Sequence, residues 1–273
     1  MRVAIKHSTR IDYTDDVLEG VMDVRLGPFS DPDQQWQRFH LAAAPNASVA
    51  RYSDGFANTA HLVTFKRPHR FVEVTAEGDV DTLLEDPFVP PPHQPQPLTH
   101  AQRVFYLQPS RLVPVDQRLA DLAEDERERA GQEPFEAVQQ LMGTVYNEFT
   151  YEQRVTDVST TVSDFLDVQR GVCQDFAHLL IGLCRAIEIP ARYVSGYVVS
   201  TTRGSQESHA WMEAFTPSHG WRGFDPTNNL VASTRHIKAG IGRDYADVAP
   251  TRGAYRGTTD ETLTVHVSAQ ALD

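Results

Sequence analysis

Two cysteines, Cys173 and Cys184, are all the thiols in this 273-residue chain, and both lie in one apolar segment, RGVCQDFAHLLIGLCRAIEIP. Val172, Phe176, Leu179, Leu180, Leu183 and Ile187 recur at the three-and-four spacing of a buried helical stripe, and Pro190 stops the run. On such a helix the two thiols stand roughly 16 Å apart along the axis. A disulfide needs Cα atoms within about 7 Å, and one metal ion does not easily span them either. Each is therefore read by itself. Cys184, between Leu183 and Arg185, reads as a small buried hydrophobe. Cys173 follows Arg170-Gly171-Val172, where a glycine lets the chain turn into the helix. In a first turn, free backbone N–H groups and the positive end of the helix dipole favour a thiolate, the nucleophilic form.

A nucleophile needs a base and an acid to orient it, and SHAWMEAFTPSHGWRGFDPTNN supplies candidates downstream. Two aromatic-rich runs flank the turn TPSHG, as in a hairpin. If Phe215 pairs with Trp221, His209 falls opposite Thr227, and Asp225 becomes its diagonal neighbour on the same face. A thiolate attacking an acyl carbon, an imidazole moving the proton and a carboxylate fixing the imidazole tautomer form one catalytic unit. The sequence thus nominates Cys173, His209 and Asp225. Trp211 shares the face of His209 and either walls the substrate site or packs in the core. Glu213, next on that face, reads as a polar partner inside the domain. His219, in the turn, is expected in solvent, and His178 is expected away from the Cys173 pocket.

The elements that must position these residues form an α+β layout. Residues 1–86 carry short alternating stretches such as RVAIKHSTRIDY and NTAHLVTFKR, separated by Asp, Asn, Gly and Pro turns. They are expected to form an antiparallel β domain, sandwich-like, with SDGFANT as a hairpin turn. Residues 87–98 are proline-dense and read as an extended linker. Residues 99–273 are expected to form the second domain. There, one helix is expected from an Asp116 cap to Gly131, and another from Pro134 through Phe149, both ahead of the Cys173 helix. Strands follow, beginning with ARYVSGYVVS. Asp244 and Tyr245 line a cleft between the domains or satisfy loop backbone groups.

Composition excludes several classes. A net charge of −12 argues against nonspecific nucleic-acid or anionic-membrane binding. No run reaches the ~18–20 apolar residues of a membrane span, and MRVAIKHSTR lacks an apolar signal-peptide core. Two cysteines that cannot pair suit a reducing interior, so a cytoplasmic location is expected. His7, His40, His61 and His69 are scattered without ligand spacing, so no metal and no cofactor are expected.

With these motifs in view, GVCQDFAH (171–178), PARYVSGY, HAW (209–211) and FDPTNN (from Phe224) resemble the transglutaminase-like core of the papain-like Cys-His-Asp superfamily. KHSTRIDYTDDV, YLQPSRLV and GRDYADVAPTRGAYRG are similar to the bacterial group that adds an N-terminal β domain. The resemblance runs through nearly the whole chain in order. It implies a catalytic domain with the nucleophile at a helix N-terminus packed on an antiparallel sheet, and it puts nucleophile, base and acid on Cys173, His209 and Asp225. It also implies a peptide or protein amide as substrate. Hydrolysis is expected ahead of transamidation, with a non-catalytic binding protein as the further alternative. No acidic loop resembles a calcium site, so calcium activation is not implied.

Overall fold

The structure is a computed structural model that describes residues 1–199 and 208–272. Six strands come first: β1 (Arg2–Val17), β2 (Glu19–Val24), β3 (Gln34–Ala44), β4 (Ser48–Ser53), β5 (Thr59–Phe65) and β6 (His69–Thr82). A stretch without helix or strand then covers the prolines between 87 and 98. Helices α1 (His100–Leu107), α2 (Gln117–Leu122), α3 (Glu124–Gln132) and α4 (Pro134–Glu148) follow. Next come β7 (Thr150–Tyr151), α5 (Val162–Val168), β8 (Arg170–Gly171) and α6 (Cys173–Ala186). The strands β9 (Ala191–Val198), β10 (His209–Thr216), β11 (Gly220–Asp225), β12 (Leu230–Val231) and β13 (His236–Gly242) make up the next sheet. Helix α7 (Tyr245–Val248) and strands β14 (Thr251–Arg256) and β15 (Glu261–Leu272) close the chain.

Alternation builds the first domain. In β1, Val3, Ile5 and His7 turn inward while Arg2 and Lys6 face water. Two antiparallel four-stranded sheets result, in the orders β15-β1-β6-β3 and β14-β2-β5-β4. Val17, Met22, Val24, Val63, Phe65, Val72 and Val74 form a core from strands of both. The β4–β5 hairpin turns at Asp54, whose carboxylate accepts from the backbone N–H of Phe56 and Asn58, within the expected turn.

One boundary differs from the sequence reading, which gave residues 99–273 to the second domain. Strand β15 pairs with β1 along almost its whole length, and β14 pairs with β2. Residues 251–272 thus complete the N-terminal sheets and cover an edge of each. Alternation in ETLTVHVSAQ announces a strand, but not which sheet it will join.

The second domain packs helices on one face of the antiparallel sheet β12-β11-β10-β9-β13. Ala210, Met212, Ala214 and Phe224 of the sheet share a core with Phe176, Leu179, Leu180 and Leu183 of α6. Every residue of α6 from Gln174 to Cys184 is buried, not a single stripe, because α2, α4 and α5 also pack against it. The helix expected from Asp116 to Gly131 breaks into α2 and α3 at Ala123. The strand expected over 191–200 is β9; Ser200 lies outside the described residues.

Two amide side chains join the domains. Gln34 Nε2 donates to the Lys238 carbonyl and Gln34 Oε1 accepts from the Lys238 N–H, each at 2.8 Å. Asn58 does the same for Ile241, at 2.7 and 2.8 Å. Both amides are fully buried and pair with edge strand β13 as a neighbouring strand would.

Candidate active site

Cys173 is the first residue of α6, after an extended Val172. Asp175, in the first turn, reaches back to accept from the Val172 N–H at 2.8 Å and from Thr156 Oγ1 at 2.7 Å. With the Asp175 N–H donating to the Val172 carbonyl at 2.9 Å, this one-sided cap fixes where the helix starts. Burial raises the pKa of Asp175, and the bonds from Val172 and Thr156 oppose that rise. Gly171 is required here: a Cβ at this position would overlap the Asp175 carboxyl group and the Phe165 ring. Pairing of Tyr151 with Gly171 sets the approach to the helix. Cys173 is half-buried, whereas Cys184 is fully buried, and burial pushes its thiol pKa far up.

The hairpin register brings the other two residues together. Phe215 stands opposite Trp221 and Met212 opposite Phe224. His209 Nε2 and Asp225 Oδ2 are 2.8 Å apart, and Cys173 at the start of α6 is near enough to act on the charge of the His209 ring. With Nε2 on the carboxylate, Nδ1 is left for the sulfur. Asp225 is completely buried. Its Oδ2 also accepts from Asn228 Nδ2 at 2.7 Å and faces His236 Nε2 at 3.2 Å. Its Oδ1 takes the backbone N–H groups of Thr227 and Asn228 at 3.1 and 3.3 Å. Burial works to raise the Asp225 pKa, but the bonds from His209 and His236 hold it well below the usual carboxylate range. Burial works to lower that of His209, and the bonds to Asp225 and Cys173 outweigh it, so the imidazole is raised to about 10.

Such an arrangement can hold an imidazolium beside a sulfur at a helix start. The first-turn N–H groups of α6 are oriented to receive negative charge on an attacked oxygen. Among the described residues, no group of three or more His, Cys, Asp or Glu is arranged to hold a metal ion.

Trp211 is 1 % exposed and stacks on His209, with ring centres 6.1 Å apart. It therefore backs the imidazole and does not wall an open cleft. The expectation of a solvated His219 is also corrected. Its ring stacks on Phe135 at 4.1 Å, and its Nε2 lies 3.1 Å from the Phe88 carbonyl oxygen. The turn is packed by helix α4 and the proline-rich stretch, which local sequence does not reveal. His178 is buried, its Nε2 accepting from the Tyr245 N–H at 3.0 Å. Asp244 serves backbone groups, accepting from Leu112 N at 2.8 Å and Ala246 N at 2.9 Å. Glu213 is buried between Arg192, at 2.6 Å, and Lys238, at 2.9 Å. Lys238 also meets Asp31 of the first domain.

Sequence reasoning passed over Asn228 and His236. Asn228 carried a signal, since an Asp followed by Pro-Thr-Asn is a turn whose side chains fold back on it. His236 carried none. It lies eleven residues beyond Asp225, after a segment that folds over β11. There Ala232 N donates to the Gly223 carbonyl at 2.8 Å, and a Cβ on Gly223 would strike Ala232.

Comparison with known proteins shows the family of the chain. Residues 122–226 match the family described as the transglutaminase-like superfamily, and residues 3–81 match the bacterial transglutaminase-like N-terminal region. An uncharacterized protein of Mycobacterium leprae is 33% identical over 287 residues, covering 99% of this chain and 99% of that protein. A protein-glutamine gamma-glutamyltransferase of Pseudomonas aeruginosa is 32% identical over 110 residues, 35% of this chain and 16% of that protein. The solved structure of "a Putative Cysteine Protease from Cytophaga hutchinsonii" superposes with a TM-score of 0.80 at 25% identity, over 100% of this chain and 91% of that one.

Proposed function

Because the chain belongs to the transglutaminase-like superfamily, with the bacterial N-terminal region, we propose that it transfers acyl groups from amides through a thioester on Cys173. The observation that carries this reading is the His209 imidazole held at 2.8 Å from Asp225, with Cys173 at the first position of α6 near enough to act on its charge.

In the proposed reaction the Cys173 sulfur attacks the amide carbonyl carbon, and the oxyanion forms toward the first-turn N–H groups of α6. As the C–N bond breaks, the His209 imidazolium gives its proton to the departing amine. Neutral His209 then takes a proton from the acceptor, which attacks the thioester; the C–S bond breaks and the thiolate–imidazolium pair is restored. Asp225 stays ionised throughout and holds the ring.

Water is the preferred acceptor, making the protein a cysteine peptidase or amidase that acts on a peptide or protein. The full-length likeness to the Cytophaga hutchinsonii protein supports hydrolysis. The shorter likeness to the Pseudomonas aeruginosa transferase keeps an amine acceptor as the second reading. A binding protein that merely kept the fold would have no need of the intact trio.

The test is incubation with p-nitrophenyl acetate. The reading expects a burst of nitrophenol equal to the protein concentration and an acetyl thioester on Cys173 by mass spectrometry. Acetylation scattered over lysines, with Cys173 unmodified, would overturn it. Adding a primary amine then separates the acceptors, because amide formed faster than with Cys173→Ala requires that the site admit the amine.

A further inference from the structure

We propose that His236 is a positioning residue for this site: its Nε2–H holds Asp225 Oδ2 in place and draws off part of the carboxylate's charge, thereby tuning His209. The inference deepens the reading above and rests on it.

Geometry assigns the tautomer. The backbone N–H of Ser233 donates to His236 Nδ1 at 3.4 Å, so Nδ1 is the acceptor and the proton sits on Nε2, which faces Asp225 Oδ2 at 3.2 Å. The ring is buried and meets the Trp211 indole edge-on, with centres 5.3 Å apart. Trp211 in turn stacks on His209. Two histidines thus share one carboxylate oxygen and one indole. Of the two, His209 is the one whose charge Cys173 also acts on. His236 is built as its counterpart on the far side of the acid.

The strand that carries His236 is registered from the other domain. Gln34 clamps Lys238, two residues along β13, and Asn58 clamps Ile241. This chain of contacts links the N-terminal β domain to the acid of the site. The charged groups around the ring are Asp225 and, lining a small cavity that His236 also lines, Asp33, Glu213 and Lys238. Glu213 and Lys238 neutralise one another at 2.9 Å.

The sign of the effect follows from the dipole. An N–H aimed at a carboxylate offsets some of its negative charge; without it, more charge acts on the imidazolium of His209, which then holds its proton to higher pH. His236→Phe keeps a packed ring against Trp211 and removes the donor. His236→Gln keeps a donor at similar reach.

The experiment is an NMR titration of the His209 ring in full-length protein labelled at histidine. In His236→Phe the midpoint is expected to rise by about half a pH unit, the scale of one hydrogen bond shared among several on a charged group. In His236→Gln it is expected to return to the wild-type value. An unchanged midpoint in folded His236→Phe, or equal shifts in both variants, would overturn the proposal, since a packing role alone predicts one or the other. A wild-type measurement stands independently of either variant folding: ring 15N shifts should show His236 protonated at Nε2, and protonation at Nδ1 alone would refute the assignment. Alkylation of Cys173 in His209→Ala serves as the control for the enzyme reading. If that rate equals wild type, the acyl-transfer reading fails, while the titration still reports on the Asp225–His236 contact.

Discussion

Replacing Asp225 with asparagine perturbs the site at its most connected group. The carboxylate gathers five N–H groups, three at Oδ2 and two at Oδ1. Asparagine turns one of those oxygens into a donor. With its NH2 at the Oδ2 position it would confront His209, His236 and Asn228 together. At the Oδ1 position it confronts only two backbone N–H groups, so that orientation wins, and His209 keeps an acceptor without a charge. A hydrogen bond to a charged acceptor exceeds a neutral one by about 1 kcal/mol, and a lost acceptor for a partly exposed N–H costs about 1 kcal/mol. Over the five donors the expected destabilisation is about 3–5 kcal/mol. The kinetic effect is larger. Burial opposes charge on His209, and the bonds to Asp225 and Cys173 are what raise it to about 10. Without the carboxylate, burial is opposed by Cys173 alone, so the imidazole holds its proton less firmly. Thioester formation on Cys173 should then fall about 10³–10⁴-fold, the scale associated with losing the acid of a triad. The assay is stopped-flow release of nitrophenol from p-nitrophenyl acetate, with circular dichroism verifying that the variant is folded. A wild-type rate in folded Asp225→Asn would refute the claim that the carboxylate sets the state of His209.

Further outcomes are expected. Cys173→Ala should abolish thioester formation with little change in melting temperature, while Cys184→Ala should retain it; iodoacetamide on the native protein should label Cys173 alone, because Cys184 is fully buried. Gly171→Ala drives a methyl group into the Asp175 carboxyl and should reduce stability by about 1–3 kcal/mol. It should also slow Cys173 alkylation, since the cap that starts α6 is displaced. Glu213→Ala strands Arg192 and Lys238 in a buried site and should destabilise by ~3–5 kcal/mol, toward the lower end because Asp31 still meets Lys238. His209 is raised from 6.5 to about 10 in the folded protein, so its contribution is complete below about pH 6.5 and is lost as pH rises through 10. Urea midpoints should therefore decline across that window, and His209→Gln should flatten the decline; an equal decline in both proteins would remove His209 as its cause.

Much of this protein was legible one segment at a time. The stripe from Val172 to Ile187 announced helix α6, Gly171 marked its start, and the aromatic runs around TPSHG set a register with Phe215 opposite Trp221. These signals are local, because capping, turn formation and strand alternation depend on residues a few positions apart. For that reason Cys173, His209 and Asp225 could be nominated before any fold was known. What lay beyond local reach was the environment. Trp211 and Glu213 share a strand face with His209, yet whether that face opens to water or is covered depends on the chain packed against it; Phe29, Asp31 and Phe56 of the N-terminal domain lie on that side. His219 sits in a turn that would be wet in isolation and is dry because Phe135 and the proline-rich stretch lie on it. Strand β15 was readable as a strand and β14 was not, and the partners of both lie more than two hundred residues earlier. His236 makes the same point at the centre of the site. Its contact with Asp225 exists because Ala232 crosses β11 at a glycine and because Gln34 and Asn58 hold β13 from another domain. Local chemistry named the reacting groups, and long-range packing decided which groups surround them and with what charge.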